Sequence, residues 1–171
     1  MEMGQIADAV APSAVMSIQA VERYTADIPA EKFGLMPDGI DCNSPAFNIG
    51  HLAIYPDRIL EILDRADLAH RDAQWEKLFE MKAECRNDPD GTIYPHKDAL
   101  VSRFRERQEI AIRALKDASP ETLTKTNPFE PMRERFPTVG AMATFLLSGH
   151  PMLHLGQIST WRRCMGMPRL G

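Results

Sequence analysis

This chain has few cysteines, no long apolar run and no large excess of one charge. Cys42, Cys85 and Cys164 are odd in number, widely spaced and without a C-x-x-C pair, which is typical of free thiols in a reducing compartment. No apolar run approaches the roughly 20 residues of a membrane span, and residues 1–29, acidic at both ends, do not resemble a secretory signal. We therefore expect a soluble, cytoplasmic protein with no membrane partner.

Several common functional motifs are also missing. The chain has no Gly-rich phosphate loop, no G-x-S-x-G and no H-E-x-x-H, so nucleotide hydrolysis and serine-hydrolase chemistry have no support. The net charge of −4, with both signs interspersed, disfavours nucleic acid as a partner. A length of 171 residues suits one domain over the whole chain.

Helical periodicity is what the chain does contain, and no alternating β-pattern of useful length accompanies it. Asn43 or Ser44 can cap one helix, with Pro45 at its first position. We predict an all-α fold, a four-helix bundle with long connections and a short extra helix around Gln74–Cys85. The four long helices are predicted at Gln5–Asp27, Pro45 to about Ala66, Lys97–Ala118, and Pro137 to near Gly166.

Two histidines stand within the fourth predicted helix. His150 and His154 are four residues apart and therefore share a helix face, beside an apolar stripe. Such a pair can be two ordinary core histidines, each satisfied by a hydroxyl or a carbonyl, or it can share a transition metal. Pro151, between them, removes the hydrogen bond to the carbonyl of Leu147, which predicts a kink that would aim His150 differently.

His51 is the only other histidine inside a predicted core helix. It can reach the same point if the second and fourth helices are neighbours, because bundle helices pack about 8–10 Å apart. Three imidazoles on two helices would bind one divalent metal and leave an open position. Cys42 and Cys164 lie too far along their helices to join that site.

Other polar side chains receive weaker assignments. Asn48 and Tyr55 flank His51 within a turn, and Gln157 follows His154 by a turn; each is a candidate to hydrogen-bond a ligand or substrate, or is ordinary packing. Asp57 points to a different face from His51. We expect the following residues at the surface, the arginines paired with Glu106 and Glu109: His70, His96, Arg103, Arg105, Arg107 and Arg113.

Two motifs resemble a known family. SPAFNIGHL (Ser44–Leu52) and, after a long gap, GHPMLHLGQISTWRRCMG (Gly149–Gly166) are similar to the DinB-like superfamily of DinB/YfiT-like metalloenzymes, and IPAEKFGLMP after the first helix also fits. The resemblance implies a four-helix bundle in which His51, His150 and His154 bind nickel, zinc or another divalent ion. Relatives with assigned chemistry use a low-molecular-weight thiol such as mycothiol or bacillithiol, as isomerases or S-transferases.

The resemblance thus leads us to expect a metal-dependent enzyme that acts on a small molecule, with a thiol as cosubstrate. Two alternatives stay open. One is a non-catalytic metal-binding or stress-response interaction module, as a homodimer. The other is a metal-assisted hydrolase that uses the same residues. The catalytic base is unknown.

Overall fold

The computed structural model describes residues 4–170, and all regular structure in that range is helical. An isolated bridge between Thr126 and Thr138 is the nearest approach to a strand there, so the all-α prediction is confirmed. The helices are α1 Gly4–Thr25, α2 Pro45–Ile62, α3 Ala73–Phe79, α4 Lys97–Asp117, α5 Pro120–Thr124, α6 Val139–Thr144 and α7 His150–Cys164; a π-helical turn, Phe145–Gly149, joins α6 to α7, and 3₁₀ turns lie at Ala30–Lys32, Ala66–Leu68 and Glu130–Met132.

The long helices pack side by side around one apolar core. Helix α2 contacts α4 and α7, and α1 also contacts α4 and α7. Fully buried side chains come from each of these helices and from the π-helical turn, and they include Val21, Ile49, Leu60, Leu100, Leu147 and Trp161. The four-helix-bundle arrangement remains a prediction from the sequence. Within residues 4–170, no helix combines the length and the hydropathy that a membrane crossing requires.

Helix α2 begins as its sequence predicts. Ser44 is the N-cap, its Oγ accepts from the backbone N–H of Phe47 (3.2 Å), and Pro45 fills the first helical position. The helix ends at Ile62, earlier than the predicted Ala66, because Asp64 adopts the left-handed conformation (φ 60°), which an α-helix cannot continue through.

The region around Pro151 differs from a plain kinked helix. The π-helical turn lies directly before His150, and the Leu147 carbonyl accepts from Gln108 Nε2 (2.8 Å) and Ser17 Oγ (3.2 Å). Pro151 cannot donate to that carbonyl, so α4 and α1 supply the missing donors. The distortion that proline predicts is thus accommodated by hydrogen bonds from neighbouring helices.

The prediction that the α4 arginines form a solvated face is wrong for two of them. Asp57, buried on α2, accepts from Arg107 Nε (2.8 Å), Arg103 Nη2 (3.4 Å) and the backbone N–H of His70 (3.0 Å). A buried carboxylate requires such donors, and the long arginine side chains reach it from α4. Asp57 is therefore fully engaged in holding α2, α4 and the 66–71 turn together. Arg105 pairs with Glu22 (3.5 Å), not with Glu106 or Glu109.

The two long connections are packed and partly helical. Residues 67–96 contain α3, shorter than the predicted Gln74–Cys85, and bury Phe79 completely. The ring of Phe79 lies over Gly50 of α2, so close that a Cβ on Gly50 would stand 2.2 Å from it. The second connection contains α5, which the sequence did not predict.

Candidate metal centre

Three histidines from two helices meet at one point. His51 lies within α2, and His150 and His154 occupy the first two turns of α7, which packs against α2. One ligand nitrogen of each lies within 4.8 Å of the others, and each residue is at most 9% exposed. Three histidines this close together could bind a metal ion.

The orientation of His51 is determined by the last residue of α3. The Nδ1 atom of His51 lies 2.7 Å from the carbonyl oxygen of Phe79. A carbonyl can only accept, so Nδ1 carries the proton and Nε2 keeps its lone pair. This is the arrangement usual for a histidine that binds metal, in which the far nitrogen donates to a fixed acceptor.

His154 is oriented in the same way by Asn48. Its Nδ1 donates to Asn48 Oδ1 (2.7 Å). Asn48 is fully buried, and its Nδ2 donates to the carbonyls of Asn43 (3.2 Å) and Ser44 (3.1 Å), which assigns the amide nitrogen and oxygen unambiguously. Nε2 of His154 is therefore unprotonated and faces His150.

His150 completes the group and carries an unpaired polar atom. Its Nε2 lies 3.1 Å from Nε2 of His154, whereas its Nδ1 is buried without a hydrogen-bond partner among the described residues. The ligand nitrogens lie within 4.8 Å of one another, whereas two nitrogens bound to one zinc ion at about 2.0–2.1 Å are at most about 4.2 Å apart. Small side-chain shifts would therefore produce metal–ligand distances.

Burial keeps the three imidazoles uncharged. It lowers the pKa of His150 to about 3 and that of His154 to about 4, with neighbouring histidines adding to the effect, and it also lowers the pKa of His51. A neutral imidazole is the form that binds metal. The donor set is thus ready for a cation at neutral pH.

The weaker candidates lie around this group. The Tyr55 ring packs against His51 (centroids 4.9 Å apart) and His150 (4.7 Å), and burial raises the pKa of its hydroxyl. Gln157 Oε1 accepts from Asn43 Nδ2 (3.2 Å), beside the carbonyl that Asn48 uses. His70 and His96 are exposed, as predicted.

An open cleft of about 560 Å³ reaches the centre. We name it the histidine cleft, because His51 and His154 line it; its other polar and sulfur-bearing lining residues are Asp41, Asn43, Glu80, Met81, Glu84 and Cys85. Its lining includes three carboxylates and no lysine or arginine among the described residues. Cys85, which the sequence did not single out, accepts from the Ser44 backbone N–H at 3.3 Å.

Residues 15–158, which include all three histidines, match the family model of the DinB superfamily. No curated protein and no solved structure matches. The family match covers most of the chain, and the chain belongs to the DinB superfamily.

Proposed function

We propose that the protein is a divalent-metal-dependent enzyme in which His51, His150 and His154 hold one ion, nickel or zinc, through Nε2. One observation supports this most directly: Phe79 and Asn48 fix the protons of His51 and His154 on Nδ1, so that their unprotonated nitrogens converge beside His150. Histidines that only pack in a core do not require their unprotonated nitrogens to face one another. His150 differs from the other two in that its Nδ1 has no hydrogen-bond partner among the described residues.

The donor set suggests what the metal contributes. Three neutral ligands do not offset the positive charge of the ion. A divalent ion bound in this way lowers the pKa of a coordinated thiol or water enough to give a nucleophile at neutral pH. The histidine cleft would admit that nucleophile next to His51 and His154. Its carboxylates, Asp41, Glu80 and Glu84, would favour a thiol that also carries a positive group.

Within the family resemblance we favour thiol-dependent S-transfer or isomerisation. Asn48 and Phe79 would hold the ligand rings in place, and Tyr55 would shield His51 and His150 from water on the other side. Metal-assisted hydrolysis uses the same residues with water as the nucleophile. Thiol consumption in the presence of an electrophile, compared with hydrolysis of the same electrophile without thiol, separates the two reactions.

The metal content of purified, untagged protein tests the site itself. We expect about one equivalent of nickel or zinc by inductively coupled plasma mass spectrometry in the wild type. The His51→Ala variant and the double variant His150→Ala/His154→Ala should contain almost none after dialysis, because two imidazoles or one hold a divalent ion far less tightly.

The matched control is His70→Ala, which removes an exposed histidine outside the centre. This variant should retain about one equivalent of metal, as the wild type does. Equal metal content in wild type and the His51 variant would show that the ligands are assigned wrongly. Wild-type protein that contains no metal and takes up no added nickel or zinc would overturn the proposal.

A dimeric interaction module is the second candidate, favoured by apolar side chains exposed on two helices. Val15 and Met16 on α1 are 43% and 53% exposed, and Leu153 on α7 is 61% exposed. Such residues can form an interface between copies. Metal-free protein with the solution mass of a dimer would favour this candidate over the enzyme.

A further inference from the structure

A second cleft adjoins the histidine cleft at the Glu80–Met81 segment. It has a volume of about 600 Å³, and both clefts share Glu80 and Met81 in their walls. We name it the arginine cleft, defined by Tyr55, Arg58, Arg71, Lys82, Phe129 and Leu146 among its lining residues. Because the Tyr55 ring packs on His51 and His150, a molecule in this cleft would lie one ring away from the histidines.

The walls of the arginine cleft are largely apolar and partly exposed. Met81 and Phe129 are two of the large apolar side chains that remain most open to solvent, at 62% and 40%, and both line this cleft. Ile62, Met142 and Leu146 continue the apolar surface inward. Clefts of about 300–1,000 Å³ with apolar walls and a few polar groups are typical of small-molecule sites.

The charged lining residues are mainly cationic. Arg58, Arg71 and Lys82 face two carboxylates, Glu61 and Glu80, and Arg71 is already paired with Glu76 (3.2 Å) and Glu61 (3.4 Å). Lys82 makes no ion pair with any residue that the structure describes. Arg58 pairs with Glu76 and lies 5.0 Å from the centre of the Tyr55 ring, yet its Nε–H has no acceptor within residues 4–170.

The histidine cleft has the opposite character, with carboxylates and no lysine or arginine among its described lining residues. We propose that the arginine cleft binds a small organic anion with an apolar body, the acceptor substrate, with its carboxylate near Arg58 and Lys82 and its apolar part against Phe129 and Leu146. This inference rests on the proposed function for the role of acceptor. The shared wall at Glu80 and Met81 would place the anionic electrophile beside the nucleophile held in the histidine cleft.

Three probes of one shape and different charge test the inference: 4-phenylbutanoate, 4-phenylbutan-1-ol and 4-phenylbutan-1-amine. Their affinities for chelator-treated protein are measured by titration with ligand-observed NMR, so that no metal can bind the carboxylate. We expect the anion to bind at least about fivefold more tightly than the alcohol, and the amine to bind most weakly, since local cations favour the carboxylate.

Three variants change the charge of the cleft. Lys82→Met, at an exposed position, should weaken anion binding about two- to fivefold and leave alcohol binding unchanged. Arg58→Met should weaken anion binding more than Lys82→Met does, because the substitution removes a guanidinium group that can donate two parallel hydrogen bonds to a carboxylate. Glu80→Gln should strengthen anion binding, an effect of opposite sign that loss of structure cannot imitate. Arg105→Met, an exposed arginine that pairs with Glu22 elsewhere, is the matched control and should keep the wild-type preference.

Equal affinity for the three probes, tighter binding of the amine, or an unchanged preference in the Lys82, Arg58 and Glu80 variants would overturn the inference. Metal content separates its failure from that of the proposed function. Protein that takes up metal but shows no anion preference after chelator treatment refutes only the anion site, whereas protein that binds no metal but retains the preference refutes only the metal centre.

Discussion

Asn48 is the residue on which the geometry of the candidate metal centre depends most. Its amide nitrogen is committed to the carbonyls of Asn43 and Ser44, which leaves only the oxygen to accept from His154 Nδ1. The proton of His154 therefore cannot move to the nitrogen that faces the metal position without loss of a buried hydrogen bond. Asn48 thus controls the tautomer of a proposed ligand without itself binding the ion.

Replacement of Asn48 by leucine should weaken metal binding about 10- to 100-fold, the usual cost of removing the partner of a ligating histidine. Competition with a chromophoric chelator measures the affinity. Gln157→Leu is the comparison: Gln157 accepts from Asn43 Nδ2 and also hydrogen-bonds the His154 side chain, but in this variant Asn48 still holds the His154 proton on Nδ1. We expect it to change the affinity much less, and equal losses in the two variants would contradict the role given to Asn48.

Sequence spacing predicted the residues of the site better than their partners. The i,i+4 spacing of His150 and His154 and the helical position of His51 predicted that the three could meet if the second and fourth helices were neighbours, and Asn48 was marked by its closeness to His51. The carbonyl of Phe79 had no signal, because every residue has a carbonyl and only tertiary packing brings this one to His51. Arg58 was missed because a surface arginine and a cleft arginine have the same local pattern.

Helix α3 is the element that connects packing to the candidate metal centre. Phe79, its last residue, lies on Gly50 of α2 and also supplies the carbonyl that orients His51. His51 follows Gly50 directly in the chain. The close approach of α3 to α2 at a residue without a side chain therefore sets the position of one proposed ligand.

A methyl group at Gly50 should disturb both stability and metal binding. Its Cβ would lie 2.2 Å from the Phe79 ring, so the ring and the following carbonyl must move. We expect Gly50→Ala to lower the free energy of unfolding of metal-free protein by about 1–3 kcal/mol in urea titrations, together with a lower metal affinity.

Gly156→Ala is the matched control, since a Cβ added at this position of α7 would meet no packed neighbour within 4 Å. Alanine is favoured over glycine in a helix by about 0.8–1 kcal/mol, so this variant should be as stable as the wild type or more stable. Similar destabilisation by both substitutions would mean that the contact of Phe79 with Gly50 has no special importance.

At the scale of elements, periodicity predicted long helices well and short ones poorly. Helices α1, α2 and α4 lie within a few residues of their predicted bounds, because each has several turns of apolar spacing. Helix α5 has Ser119 as its N-cap and Pro120 at its first position. It contains only five residues, which are too few to show a helical repeat of apolar positions. The π-helical turn depends on donors from Ser17 and Gln108, and sequence near Pro151 contains no information about them.

The buried histidines couple the candidate site to the stability of the whole molecule. In the unfolded chain each imidazole has a pKa near 6.5, whereas burial in the folded, metal-free protein lowers the values to about 3 for His150 and about 4 for His154. The unfolded state therefore binds more protons than the folded state at any pH between these limits. Stability that is present above pH 6.5 must decrease as the pH falls below it.

We expect urea titrations of chelator-treated protein to show this loss between about pH 6.5 and pH 4, with each histidine contributing at most about 1.4 kcal/mol per pH unit. His150→Leu removes one such group and should flatten the dependence in this interval, whereas His70→Ala, at an exposed position, should leave it unchanged. Carboxylates elsewhere contribute equally to the pH dependence of all three proteins. The difference between the curves therefore reports the contribution of the buried imidazole. Parallel curves for the wild type and His150→Leu would mean that His150 accepts a proton in the folded state as readily as in the unfolded chain, and that the centre is more open to water than its burial indicates.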